Sequence, residues 1–243
     1  MQQLTAAAAY WDTSSHDAKI HNHCSFGPAC AGSVVNGNIY PELPLYAGID
    51  LADVILVDAA AADAALAALM ATDAIGFDTE SKPTFAKGEV STGPHLIQLA
   101  TDAKAYLFPV TGTPAVAVLR TILEAPQVLK VGFGLRDDLH RLQSKLGIGC
   151  ASVLDLAIAL RREKRGDVGA KTAVAQFFGQ RMQKSKKTST TNWSNPCLTE
   201  RQMLYAANDA HVALRVYRAW RQAGGGAPAS DFASGPQRVH PDE

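Results

Sequence analysis

Cysteine is scarce in this chain of 243 residues. Cys24, Cys30, Cys150 and Cys197 are its four, too few and too scattered to staple a disulfide framework. The fold must therefore come from an apolar core, and a reducing cytoplasm is the expected setting. No basic stretch leads into a long apolar run, and nothing approaches the roughly 20 apolar residues that cross a bilayer, so no membrane association is expected. Internal repeats are absent. The formal net charge is zero, with 23 Lys/Arg against 23 Asp/Glu, which at first argues against a polyanionic partner. GFG at 132–134 falls short of a dinucleotide fingerprint, because Asp137 stands where the third glycine would be. The cluster His21, His23, Cys24 and Cys30 matches no common zinc spacing, and no second ligand pair follows it.

What is present is enough for one core. Hydrophobic residues make up 47% and charged ones 19%, an ordinary globular balance. Residues 1–45 hold an alanine run and little periodic hydrophobicity and are expected to be a poorly structured leader; 224–243, opening on GGGAPAS, reads as a flexible tail. A single domain over 46–223 lies between them. Its charge is uneven. Between Arg161 and Thr191 stand nine Lys/Arg and two acids, 9 − 2 = +7, which leaves 14 against 21, or −7, elsewhere. A basic segment on an acidic body suits an enzyme that binds phosphates, although a solvated surface face would look the same.

Strand and helix signals alternate through this region. DVILVD (53–58) reads as a strand and 59–71 as an alanine-leucine helix. AIGFDTE (74–80) is the next strand, and HLIQLAT (95–101) and AYLFPV (105–110) flank TDAK as a hairpin. Thr113 and Pro114 supply a cap and a first-turn proline for AVAVLRTILEA. VLKVGFG (128–134) is a strand leading into a helix over 135–146. LDLAIALRR, KTAVAQFFG and a long last segment read as helices, with Asp155 capping the first. The pattern predicts an α/β fold, a mixed β-sheet flanked by α-helices, and the hairpin excludes a doubly wound parallel sheet.

Five residues in three blocks carry the chemistry. Asp78 and Glu80 are two apart on a strand, so they share a face at its C-terminal end, a usual rim for ligand sites. Taken alone, such a pair is often just solvated. Asp138 falls in the first turn of a helix, where a negative charge is favoured anyway. Asp137 competes with it, but Asp138 lies nearer the face of Leu135, Leu139 and Leu142. The third block has a capping box, Thr199 with Gln202, and a hydrophobic staple, Leu198 with Met203. From that start Tyr205 and Asp209 stand four apart on one face, beside the stripe Met203, Ala206, Ala210, Ala213 and Tyr217. A phenol and a carboxylate against a packed face need partners: each other, or a metal and its water. Acids so placed can converge on a hard divalent cation, and the chemistry they point to is metal-assisted cleavage of a phosphodiester. His95, His140 and His211 show no partner pattern and are expected at the surface or in the core.

These blocks, with LIQLA, KVGFGLRDD and NWSNPCLTERQMLYAANDAHVALRVY, resemble the DEDD superfamily of 3′-5′ exonucleases over about Leu51 to Trp220. The likeness is to the RNase D-like branch with a tyrosine in the third motif (DEDDy), and within it to the Werner-type exonuclease domain. In the sister branch a histidine stands five residues before the last acid; here that position is Leu204. The resemblance implies an RNase H-like fold and two divalent ions, Mg²⁺ or Mn²⁺. Asp78, Glu80 and Asp209 would hold one ion, Asp78 would bridge to a second, Asp138 would bind the second through water, and Tyr205 would orient the attacking water. The implied partner is DNA or RNA with a free 3′ end, single-stranded or overhanging. Lys184, Lys186 and Lys187 are expected on backbone phosphates. Trp193 either stacks near the strand or anchors its loop. A non-catalytic binding domain, or a hydrolase of small phosphoesters, would be the alternatives.

Overall fold

The computed structural model describes residues 42–84, 88–110, 113–161 and 166–226, and of 113–115 the backbone alone. The expected leader up to residue 41, the His/Cys cluster at 21–30, the tail from 227 and the capping side chain of Thr113 lie outside the described residues. The last part of the expected leader is ordered by hydrogen bonds. The Arg181 amide donates to Pro44 O at 2.9 Å, and the Tyr46 amide donates to Arg181 O at 3.0 Å.

Six strands form one mixed sheet. They are β1 (Val54–Leu56), β2 (Ala74–Glu80), β3 (Leu96–Ala100), β4 (Ala105–Pro109), β5 (Leu129–Gly132) and β6 (Val153–Asp155), in the order β1-β4-β3-β2-β5-β6. The pairs β2–β3 and β3–β4 are antiparallel, while β1–β4, β2–β5 and β5–β6 are parallel. The helices are α1 (Ala62–Met70), α2 (Thr113–Leu123), α3 (Arg136–Arg141), α4 (Leu156–Ala159), α5 (Ala170–Phe178), α6 (Lys186–Ser189) and α7 (Glu200–Gln222). The α/β architecture is the expected one, with two corrections. The segment around LDLAIALRR is not one helix: Val153–Asp155 is an edge strand and only Leu156–Ala159 is helical. The helix over 135–146 is α only to Arg141, and Leu142–Leu146 continues as a π-helix.

Alternation along β2 sorts the two layers. Ile75 and Phe77 face a core with α1, α2 and Leu135. Ala74 faces a second core with α5 and α7, while β3 and β4 meet Ala206, Ala207 and Ala210 of α7 through Leu96, Ala100 and Leu107. The small residues of α7 let it lie close on the sheet. At the crossing a Cβ on Gly76 would stand 1.9 Å from Ala210 O, so only glycine allows this approach. The same parity sends Asp78 and Glu80 toward α7. The N-terminus of α7 is held as its cap predicts: Thr199 Oγ1 accepts from the Gln202 amide at 3.3 Å, and Gln202 Oε1 accepts from the Thr199 amide at 3.0 Å. Among the described residues no helix is long and apolar enough to cross a membrane.

Candidate active site

The C-terminal end of β2 is where the chemistry-bearing side chains gather. Asp78 and Glu80 project on the α7 side, and Thr79 projects on the other. The Thr79 hydroxyl donates to Asp138 Oδ1, which brings α3 against the strand end. Asp138 also faces Arg141 Nη1 at 3.5 Å. Asp137 is exposed, so the inward acid of the pair is Asp138. The turn before α3 is set by Asp155, whose carboxylate accepts from the amides of Gly134 at 2.8 Å, Leu135 at 3.0 Å and Ala157 at 2.9 Å. Asp155 is therefore a cap, as expected, and it serves two elements.

From α7, Asp209 enters the cluster almost wholly buried, with Tyr205 one turn earlier on the same face. Lys184 completes the group. Its Nζ lies 2.9 Å from Asp209 Oδ1 and 5.9 Å from the centre of the Tyr205 ring. A cavity of about 330 Å³, lined in part by Tyr46, Lys184, Arg201, Tyr205, Asn208 and Asp209, reaches the cluster at Asp209.

Crowding of carboxylates shows in their proton affinities. Burial pushes Asp78 up to about 8; Asp209 and Asp138 add to this and Lys184 opposes it. Glu80 is carried to about 9 by burial, then by the charges of Asp78 and Asp209. Burial also raises Asp138, against the Thr79 hydroxyl and Arg141, and raises Asp209, against Lys184 and Tyr205. The Tyr205 phenol is pushed above its usual range by burial and by Asp209. Burial works against the charge of Lys184, but Asp209 and Asp78 outweigh it and keep the ammonium protonated. The cluster is short of positive charge.

That shortage and the donor set fit divalent cations, since carboxylate oxygens suit hard ions such as Mg²⁺ and Mn²⁺. Among the described residues no three acids, histidines or cysteines already surround a common point. Asp209 is turned onto Lys184, and Asp138 onto Thr79 and Arg141.

The residues expected along a phosphate path divide. Lys186 and Lys187 are exposed on α6. Lys184 is not beside them on that surface but inside the acid cluster. Trp193 offers no face to a base: it is 2% exposed, its indole N–H donates to Ser189 O at 3.2 Å, and its ring packs 6.0 Å from that of Tyr205. It anchors the loop. His211 is buried, with Nε2 3.3 Å from Asp102 O, and His140 is exposed. The His95 Nδ1 accepts from the Lys82 amide at 3.0 Å. Two neighbours of the acids went unnoticed in the sequence. One is Thr79. The other is Gln98, fully buried on β3 directly opposite Asp78, whose signal is a lone amide inside the apolar run LIQLA.

A family model described as 3′-5′ exonuclease matches residues 54–223. The bifunctional 3′-5′ exonuclease/ATP-dependent helicase WRN of Mus musculus is 30% identical over 149 residues, covering 60% of this chain and 11% of that protein; the chain thus spans a small part of that relative's length. Among solved structures, the Nibbler EXO domain of Aedes aegypti superposes with a TM-score of 0.62 at 26% identity, covering 76% of this chain and 95% of that one. RNase D of Escherichia coli, an exoribonuclease involved in structured RNA processing, superposes with a TM-score of 0.58 at 27% identity, covering 73% and 47%. The six-stranded mixed sheet with helices on both faces is the RNase H-like fold of these neighbours.

Proposed function

The chain belongs to the 3′-5′ exonuclease family of the DEDD superfamily, and from that premise we propose that it removes nucleotides stepwise from a free 3′ end of nucleic acid, releasing nucleoside 5′-monophosphates. The observation that carries this reading is the gathering of Asp78, Glu80 and Asp209 with Tyr205 on the α7 side of the β2 end, beside the Lys184 ammonium, with Asp138 close enough for its charge to act on both strand acids. Acids scattered on the surface keep their water and would not hold protons near neutral pH; these do because burial first, and the charges of neighbouring acids second, favour the neutral form.

Asp78, Glu80 and Asp209 would hold one divalent ion, and Asp78 and Asp138 a second. When bound, such ions supply a hydroxide at neutral pH and stabilise the leaving oxygen of an in-line displacement. The protein's own groups do the rest. Tyr205, fixed by Trp193 behind it, orients the attacking water through its phenol. Thr79 and Arg141 keep the Asp138 carboxylate aimed at the strand end. Asp155 holds the turn that presents Asp138. Lys186 and Lys187 stand free on the surface to meet the phosphates of a single strand or overhang.

A gel time course with matched 5′-labelled DNA and RNA oligonucleotides, in Mg²⁺, Mn²⁺ or EDTA, tests the reading. A one-nucleotide ladder abolished by EDTA is expected, and the faster strand names the substrate. Binding without a ladder on either strand would replace it with a non-catalytic binding role.

A further inference from the structure

Lys184 sits where an acid cluster of this kind would otherwise need a cation. Its ammonium is 2.9 Å from Asp209 Oδ1, a carboxylate whose side chain is 5% exposed, while the lysine side chain is 29% exposed. The residue belongs to the irregular stretch 182–185 between α5 and α6, so its long stem can swing without moving a helix or strand. Room for that swing exists, because Lys184 and Ser185 line the cavity of about 330 Å³ that reaches Asp209. Meanwhile the acids do not face a common point, and the one from α7 is turned onto the lysine.

We propose that Lys184 is an internal counter-ion, which holds the acid cluster together before metal arrives and is displaced from Asp209 when metal binds. The inference rests on the metal-dependent reading above and deepens it. A divalent cation arriving at Asp209 would stand beside the ammonium already on Oδ1, and two cations that close repel strongly in a buried site, so the two compete for Asp209. Lysine suits the role better than arginine would. Its compact point charge sits on a flexible stem and leaves without breaking a bidentate fork. Metal affinity is thereby lowered by whatever the lysine contact is worth, and in the metal-free enzyme the ammonium offsets part of the repulsion between neighbouring acids.

The test is calorimetric titration of Mn²⁺, without nucleic acid, into the wild-type chain and the variants Lys184→Met and Lys184→Arg. Lys184→Met is expected to bind Mn²⁺ about tenfold more tightly, since a charge-assisted contact of this type no longer has to be broken. Lys184→Arg, which keeps a cation, is expected near the wild-type value or weaker. The gain should survive about 0.5 M KCl, because a direct contact is sheltered where remote charges are screened. Thermal unfolding gives a second readout: Lys184→Met should be less stable than wild type in EDTA, with the deficit closing in saturating Mn²⁺. Equal or weaker Mn²⁺ binding by Lys184→Met, or a gain that vanishes in high salt, would overturn the proposal while leaving the exonuclease reading standing. A wild-type chain that binds no Mn²⁺ at all would overturn both.

Discussion

Replacing Gly76 with alanine tests whether the close crossing of β2 and α7 sets the active-site geometry. The new methyl would stand 1.9 Å from Ala210 O, where an ordinary carbon–oxygen approach is about 3.3 Å. Helix and strand must therefore separate by about 1.4 Å at this point. The methyl is fixed to the strand and its partner is a backbone carbonyl, so no flexible side chain can absorb the clash. Overpacking of this kind costs about 1–3 kcal/mol, and for a domain of this size each kcal/mol lowers Tm by about 2–4 °C. The chemical consequence is larger. Asp209 precedes Ala210 and moves with it, whereas Asp78 stays on β2, two residues beyond the substituted position. A misplacement of about 1 Å between reacting groups can lower a rate roughly 10²-fold. Circular dichroism melting in EDTA would read the first effect, and a single-turnover ladder with Mn²⁺ the second. Wild-type Tm together with wild-type rate in Gly76→Ala would refute the reasoning.

Stability of the metal-free protein should fall as pH rises. Folded Asp78 and Glu80 hold protons up to about 8 and about 9, while the unfolded chain releases them near 4. Below about pH 4 both states are protonated and no penalty exists; the penalty grows between the two ranges and is complete above about pH 9. Melting in EDTA from pH 6 to pH 9.5 should show this decline, flattened in Asp78→Asn; a Tm that climbs with pH would contradict it. Removing Trp193 to alanine should cost about 3–5 kcal/mol in denaturant unfolding, since it is buried; unchanged stability with weakened strand binding would instead make it a base platform. Lys186→Ala with Lys187→Ala should weaken nucleic-acid binding and reduce the salt slope by roughly 0.7–0.9 per lost phosphate contact. An unaltered slope would remove both lysines from the phosphate path.

Local signals were readable where local physics decides. The cap of Thr199 and Gln202 marks the start of α7, and the four-residue spacing of Tyr205 and Asp209 follows from the helix itself. Parity put Asp78 and Glu80 on one side of β2. Asp155 was legible as a cap, yet the three-residue strand ending on it was not, because VLDLAIAL is apolar enough for a helix and an edge strand so short has no period to show. Tertiary contacts decided the rest. Nothing in KSKK tells Lys184 to turn inward while Lys186 and Lys187 stay in solvent; that follows from the pull of Asp209, contributed by another element. Trp193 likewise looks like a loop aromatic until Tyr205 and Ser189 are seen to cover it. Gln98 acquires a meaning only from its register with Asp78.

The most direct test of the central claim compares wild type and Asp78→Asn in single-turnover digestion of a 5′-labelled oligonucleotide with Mn²⁺, both folded by circular dichroism. The loss of a metal-holding carboxylate is expected to slow the ladder by about 10³-fold, a difference of several kcal/mol in the barrier. A ladder of wild-type speed from folded Asp78→Asn would show that the cluster at the end of β2 is not where the phosphodiester is cut.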